Sequence, residues 1–329
     1  MTFKKISPLR QRALRPAAAA LLALVVTLGL GACDPTPDDA ATQPIVIAGG
    51  GTTGVYHQYG SQLAQVLSRD LDRQFEVAET AGSVDNLLRI GSGEALLGFA
   101  QSDAAASAVE GNGAFDRPLA IRAIARLYDE YVHVVVRRDS DIEDLGDFVG
   151  RTVSLGAKNS GVNLVAMRVL EAANVDPASV LNVGLGPDAS IEALRAGQID
   201  GFFWVGGVPT PGLAKLSTDT PIRLLSIGPE TVEALNSAHS GAYRISEFPL
   251  GSYGWETPTV TMTVPNYLVV SESAPPELVR SVTETLFASR TELAQHVPAA
   301  ALLDRRQAIF TDPIELHPGA ISYYVETKR

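Results

Sequence analysis

From residue 45 onward short apolar runs alternate with segments of helical period, and a glycine-rich or polar turn separates one from the next. That alternation marks βαβ units and confines the chain to an α/β fold built on a mostly parallel sheet. Ile45–Ala48 reads as a buried strand, and Val55, Tyr59, Leu63, Val66 and Leu67 recur on one face of a helix that runs to Leu71. Phe75–Thr80 and Ala95–Phe99 are further strands, with Val84, Leu87 and Leu88 on a short helix between them. Leu119–Arg126 and Tyr131–Arg137 are two β-rich stretches; the segment ARLYDEY between them is either a turn with amphipathic aromatics or a cleft wall in which Arg126 offers a guanidinium to a carboxylate.

The scheme restarts after residue 137. Asp141–Val149 predicts a short acidic helix, Thr152–Leu155 a strand, and Ala157–Asn163 a polar turn in which Ser160 caps a helix carrying Val162, Val165, Ala166, Val169 and Leu170. Leu181–Val183, a helix over Ala189–Ala196 and the strand Gly201–Val205 continue the pattern, followed by a proline-punctuated turn at 208–212, a strand over 221–227, a short helix over 231–238 and a polar, aromatic loop over 239–258. Thr259–Val270 is β-rich but broken by Pro265, Pro276 opens the longest expected helix, Pro276–Gln295, and residues 305–329 have no strong period. Two such blocks meeting near residue 137 predict two lobes with a cleft for a small ligand, because open α/β sheets bind ligands beyond the carboxyl ends of their strands, where helix N-termini offer unpaired amides.

The N-terminus is of a different kind. Lys4, Lys5, Arg10, Arg12 and Arg15 precede an apolar stretch from Ala17 to Ala32, the layout of a signal peptide over residues 1–32 and too short for a membrane span. Leu30-Gly31-Ala32-Cys33 resembles the lipobox of bacterial lipoproteins, and Cys33 is the only cysteine of the chain, so lipidation there and a tether at the membrane surface are expected. Residues 33–43, with DPTPDDAATQ, read as a flexible linker. Removing residues 1–32 takes five of the 26 Lys and Arg and none of the 37 acids, which leaves a net charge of −16 and disfavours a nucleic-acid partner.

Three segments place small polar residues at a predicted helix start: Gly49-Gly50-Gly51-Thr52-Thr53-Gly54, Ala81-Gly82-Ser83-Val84-Asp85-Asn86 and Asn159-Ser160-Gly161-Val162-Asn163. Each alone reads as a tight turn; converging, they could hold an anion by dipole and amide donors. No Gly-Lys-Ser/Thr ending supports a phosphate loop, and no G-x-S-x-G elbow supports a nucleophilic serine. The five histidines lack metal spacing, so no metal is expected, and His57 and His133 are the nearest candidates for a general base should the chain be an enzyme. Phe203 and Trp204, at the end of a strand, are either core or a ligand platform.

Four stretches taken in order resemble the TAXI family of TRAP-transporter solute receptors: GGGTTGVYHQYGSQLAQVL at 49–67, AGSVDNLLRIGSGEALLGFAQSD at 81–103, the segment 126–175 beginning RLYDEYVHVVVR, and AGQIDGFFWVGGVPTPGLAKL at 196–216; LHPGAISYY at 316–324 fits as well. The resemblance implies a type II periplasmic-binding-protein fold, with lobe one from 44–135 and 265–329 and lobe two from 136–264. It implies a receptor, not an enzyme, with no cofactor, that closes over a small organic anion such as glutamate, glutamine or 2-oxoglutarate and hands it to a TRAP permease. An exported enzyme or a sensor subunit on the same scaffold is the alternative. Carried over from the resemblance, the ligand-binding positions are Thr53, Gly54, Val55, Tyr56, Ser83, Val84, Asn86, Gln101, Ser160, Gly161, Asn163 and Phe203.

Overall fold

The computed structural model describes residues 43–239 and 241–328, so the expected leader, Cys33 and nearly all of the linker lie outside the described residues. β1 (Ile45–Ala48), β2 (Phe75–Ala78) and β3 (Leu97–Gln101) run parallel, linked by α1 (Val55–Leu71) and α2 (Ser83–Ser92), and α3 (Ser102–Glu110) follows β3 directly. β4 (Ile121–Arg137) is long. A second parallel set, β5 (Thr152–Ser154), β6 (Leu181–Asn182) and β7 (Gly201–Gly206), carries α4 (Gly161–Ala172) and α5 (Pro187–Arg195). Next come α6 (Pro211–Asp219), β8 (Ile222–Leu224), α7 (Pro229–Ala238), β9 (Arg244–Glu247), β10 (Val260–Ser271), α8 (Pro276–Ala288), α9 (Arg290–His296) and α10 (Pro318–Glu326).

The ten strands form one sheet in the order β2-β1-β3-β10-β4-β7-β5-β6, with β8 on β4 and β9 on β10. The α/β architecture agrees with the expectation from alternation, but among the described residues the sheet is not mostly parallel: four of its strand pairings are parallel and five, all made by β4 or β10, are antiparallel. Parallel strands are covered on both faces, which is why LGFAQ of β3 is buried at every position. Ile47, Leu63, Phe99, Leu268 and Leu286 pack on one face of the first half, and Val84, Leu87, Ala104, Ile121 and Val269 on the other. In the second half Val134, Phe148, Val165, Phe203 and Met262 occupy one face, and Val135, Leu194, Phe202 and Leu213 the opposite one. The cores change over between Tyr128 and Val132 on β4 and between Val264 and Tyr267 on β10. These two strands, antiparallel neighbours, therefore thread both halves.

Several local expectations are corrected. ARLYDEY is not a turn: β4 runs unbroken through it, since Tyr128, Asp129 and Glu130 pair with Asn266, Pro265 and Val264 and bury Leu127, Tyr128 and Glu130. Pro265 does not break β10, because β9 pairs only as far as Thr263 and β3 begins at Asn266, so the proline sits where one edge of the strand has no neighbour. The proline-punctuated turn runs on into α6 with Pro211 in its first turn, where a missing N–H costs nothing. The acidic helix over 141–149 shrinks to one 3₁₀ turn, Leu145–Phe148, held by reciprocal Asp144 and Asp147 caps. Loop 239–258 contains β9, the helix from Pro276 divides at Ser289 into α8 and α9, α1 at 17 residues is the longest helix, and the aperiodic tail holds α10, whose Tyr323 stacks on Phe287 at 5.4 Å.

Phe99 lies between Tyr56 and Tyr59, with ring centroids at 5.4 and 5.5 Å. Phe99→Ala should cost about 3–5 kcal/mol through the cavity it leaves, read as a lower denaturant midpoint with an unchanged slope.

Candidate functional site

A cavity of about 350 Å³ lies where the two halves face each other. Four helices begin on it: α1 at Gly54 and Val55, α2 at Gly82 and Ser83, α4 at Ser160 and Gly161, and α5 at Gly186 and Pro187. The three starts singled out in the sequence thus converge, two from the first half and one from the second, and α5 adds a fourth. A helix's first turn has amides with no partner inside the helix, so each start adds donors and a positive dipole end. Ser160 Oγ accepts from Asn163 N at 3.0 Å and squares off α4.

The halves meet closely beside the cavity. Gly82, at φ +121°, adopts a backbone that an L side chain resists, and Asp85 N donates to Asn159 O at 3.0 Å across the junction. Gly161 has no room for a Cβ, which would stand 2.3 Å from Gln101 Oε1 and 2.7 Å from Ser83 Oγ. Outside the cavity, Tyr243 Oη donates to Asp103 Oδ2 at 2.7 Å, and Arg168 of α4 reaches Asp103 at 3.3 Å and Ser107 at 3.0 Å. That group joins α3 to the second half.

Glu130 forms the floor. Its side chain is buried on β4, where Oε2 accepts from Tyr56 Oη and Gln101 Nε2, both at 3.1 Å, and Oε1 accepts from Tyr128 Oη at 3.2 Å. Burial pushes the carboxyl up to about 7 despite those three donors, which favour its charged form. Tyr56 and Tyr128 are pushed upward as well, by burial and by the neighbouring Glu130 charge, so both stay protonated. The sequence reading passed over Glu130. Its only sequence signal is its place between two tyrosines in LYDEY, a segment that reads from sequence either as a turn or as a cleft wall with Arg126 as its charged group.

Phe203 and Trp204 form a wall, the indole Nε1 donating to Thr210 Oγ1 at 2.9 Å. Of the residues carried over from the resemblance, Gly54, Val55, Tyr56, Ser83, Gln101, Ser160, Gly161 and Phe203 line the cavity. Thr53 stands at the exposed edge and donates to Asp188 of the other half. Val84 packs into the core with Leu87, and Asn86 is fully buried, donating to Phe99 O at 2.8 Å and receiving Thr80 Oγ1. Asn163 turns to Leu155 O at 3.2 Å. These last three shape the loops and do not reach the cavity.

Arg126 does not serve as a cavity guanidinium: it is engaged by Asp129 through bonds of 2.6 and 2.8 Å. His133 is buried with Nδ1 at 2.9 Å from Tyr131 O and Nε2 at 3.0 Å from Tyr253 Oη, and burial lowers it to about 4. Neither His133 nor His57 lines the cavity. Among the described residues no cluster of His, Cys, Asp or Glu could hold a metal ion, and no helix is long and apolar enough to cross a membrane.

Glu130 and His133 tilt stability against pH in opposite senses. Glu130 binds a proton more tightly folded than unfolded, so its contribution is present below about 4.5 and lost as pH rises through about 7. The stability of Glu130→Gln relative to the parent should therefore climb between those values by about 3 kcal/mol and then level off. His133 gives stability present above about 6.5 and lost as pH falls through about 4, so it should steepen the variant's own rise with pH. Denaturant titrations at half-unit pH steps check both slopes.

Solved structures share this architecture. PhnD1 from Prochlorococcus marinus, in complex with methylphosphonate, superposes with a TM-score of 0.54 at 11% identity, over 87% of this chain and 96% of that one. A protein from Bordetella bronchiseptica RB50 gives 0.52 at 19% identity over 86% and 88%, and a periplasmic transporter gives 0.52 at 13% identity over 87% and 92%. At such identities the likeness speaks for the fold, which is the two-lobed fold of periplasmic solute-binding proteins. The family profile spans β1 to α10 and so takes in both lobes and every helix start on the cavity: over residues 47–327 the chain matches, and belongs to, the NMT1-like family.

Proposed function

We propose that the protein is an extracytoplasmic solute receptor that takes a small organic anion, an amino acid or a C4–C6 carboxylate, into the cavity between its lobes and delivers it to a TRAP permease. The observation that carries this reading is the convergence of four helix starts from both halves on one cavity of about 350 Å³. An anion bridging those starts gains from amides of both lobes at once, so its binding favours closure. With this reading goes the lobe division 44–135 and 265–329 for lobe one and 136–264 for lobe two, although on β4 the core changes over a few residues earlier, between Tyr128 and Val132. The leader over 1–32, lipidation of Cys33 and the linker 33–43 complete the reading and place the receptor on the outer face of the membrane.

A receptor fits the cavity better than an enzyme does. Its floor is a carboxyl already engaged by three donors, and both histidines considered as bases lie away from it. Fold alone does not choose between permease delivery and signalling; co-purification with a many-helix membrane protein supports delivery, and retention by a kinase or chemoreceptor supports the sensor.

Titration calorimetry of the exported protein against amino acids and C4–C6 carboxylates tests the proposal: saturable one-to-one binding with compaction in solution scattering supports it, and silence across both sets overturns it. Ser160→Ala removes the α4 cap beside the anion and should weaken binding by about 1–2 kcal/mol. Cys33→Ser should move the protein from the membrane fraction to the soluble one.

A further inference from the structure

The receptor reading leaves the solute's class open, and the same cavity narrows it. We propose that the solute carries an ammonium group as well as a carboxylate, and that Glu130 is the counter-charge that selects the ammonium. The inference rests on the receptor reading and deepens it.

The charges on the cavity are one-sided. The acidic side chains that line it are Glu79, Glu130 and Asp188, and no lysine, arginine or histidine joins them. The nearby guanidiniums are committed elsewhere, Arg126 to Asp129 and Arg168 to Asp103. The helix starts supply one anion site at the lobe junction, but a second carboxylate reaching the floor would meet Glu130 with no cation to offset it. Like charges in so buried a place are costly.

Donor and acceptor arithmetic gives the same answer. Tyr56 and Tyr128 spend their hydroxyl hydrogens on Glu130, so neither remains to donate to a solute. A carboxylate has about four acceptor positions; Glu130 takes two donors on Oε2 and one on Oε1, and the otherwise unpartnered Asn266 amide faces it as a fourth, so its partners are all neutral. Gln101 Oε1, on a buried side chain that lines the cavity, has no hydrogen-bond partner. Gln101 Oε1 thus lacks a donor beside a carboxyl that lacks a cation, and a protonated amine supplies both. Val55, Val162, Leu185, Pro187, Phe203 and Trp204 give the cavity an apolar wall that suits a solute with an apolar body. A carboxylate at the helix starts, an ammonium on Glu130 and an apolar side chain together describe a neutral α-amino acid.

The proposal predicts the sign of a proton linkage. The groups around Glu130 are Tyr56 of α1, Tyr128 of β4 itself, Gln101 at the end of β3 and Asn266 of β10, with Tyr59 beyond Tyr128 and Asp103, at the start of α3, beyond Tyr56; none is a cation. Burial holds the carboxyl near 7, so the empty receptor is partly protonated at neutral pH. An ammonium draws that value down and binding releases a proton, so affinity should rise about tenfold from pH 6 to pH 8 and flatten beyond. A dicarboxylate without an amine would instead take a proton up, and its affinity would fall over the same interval.

Calorimetry of the exported protein at pH 6, 7 and 8, with leucine, 4-methyl-2-oxopentanoate, glutamate and 2-oxoglutarate as probes, decides the matter. The expected result is leucine binding at least 100-fold tighter than its 2-oxo analogue, with affinity rising with pH. Glu130→Gln should lose both the preference for the amine and the pH slope while keeping residual carboxylate binding. Should the variant fail to fold, the sign of the slope in the parent protein decides alone. Equal or tighter binding of the oxo acids, or affinity that falls as pH rises, overturns the inference and leaves the receptor reading standing. No binding by any probe overturns both.

Discussion

The antiparallel ladder between β4 and β10 is the constraint on which the rest of the structure depends. Among the described strands no other enters the cores of both halves, as these two do. Sheet hydrogen bonding continues through the junction, so the halves are hung on paired backbone and not on a loose tether. The cavity lies over this ladder, and the residue that forms its floor, Glu130, is itself a rung of it.

Two electrostatic tendencies meet there. The helix starts bring positive dipole ends toward the junction from above, while the chain's own carboxyl sits below with tyrosine and glutamine donors around it. Counted without residues 1–32 the chain carries a net charge of −16, a diffuse field that slightly repels anions, whereas the amides act only at contact range, so placement outweighs overall charge at this cavity. The two ends of one small space thus have opposite electrostatic preferences.

Much of this was legible in the sequence, for identifiable reasons. Alternation of apolar runs with helical periods depends on neighbours within a few residues, so α1, α4 and the parallel strands emerged nearly in place. Ser160 was readable as a cap because capping is local. What escaped depended on partners far along the chain. LYDE is a strand only because residues 264–266 lie beside it, and Asn86 is structural only because Thr80 and Phe99 O come to it. Asn163 carries a motif at a helix start yet faces Leu155, since three residues into a helix the side chain has rotated away from the axis end. Glu130 combined both difficulties, being distant from Gln101 and Tyr56 in sequence and hidden in a segment of ambiguous period.

The contact of Asp103 with Tyr243 and Arg168 belongs to neither the ladder nor the cavity. It fastens the halves at a point away from the cavity, and parting them would strand a fully buried carboxylate on α3 without its partners. The molecule therefore carries a clasp of its own, which any movement that separates the halves has to undo.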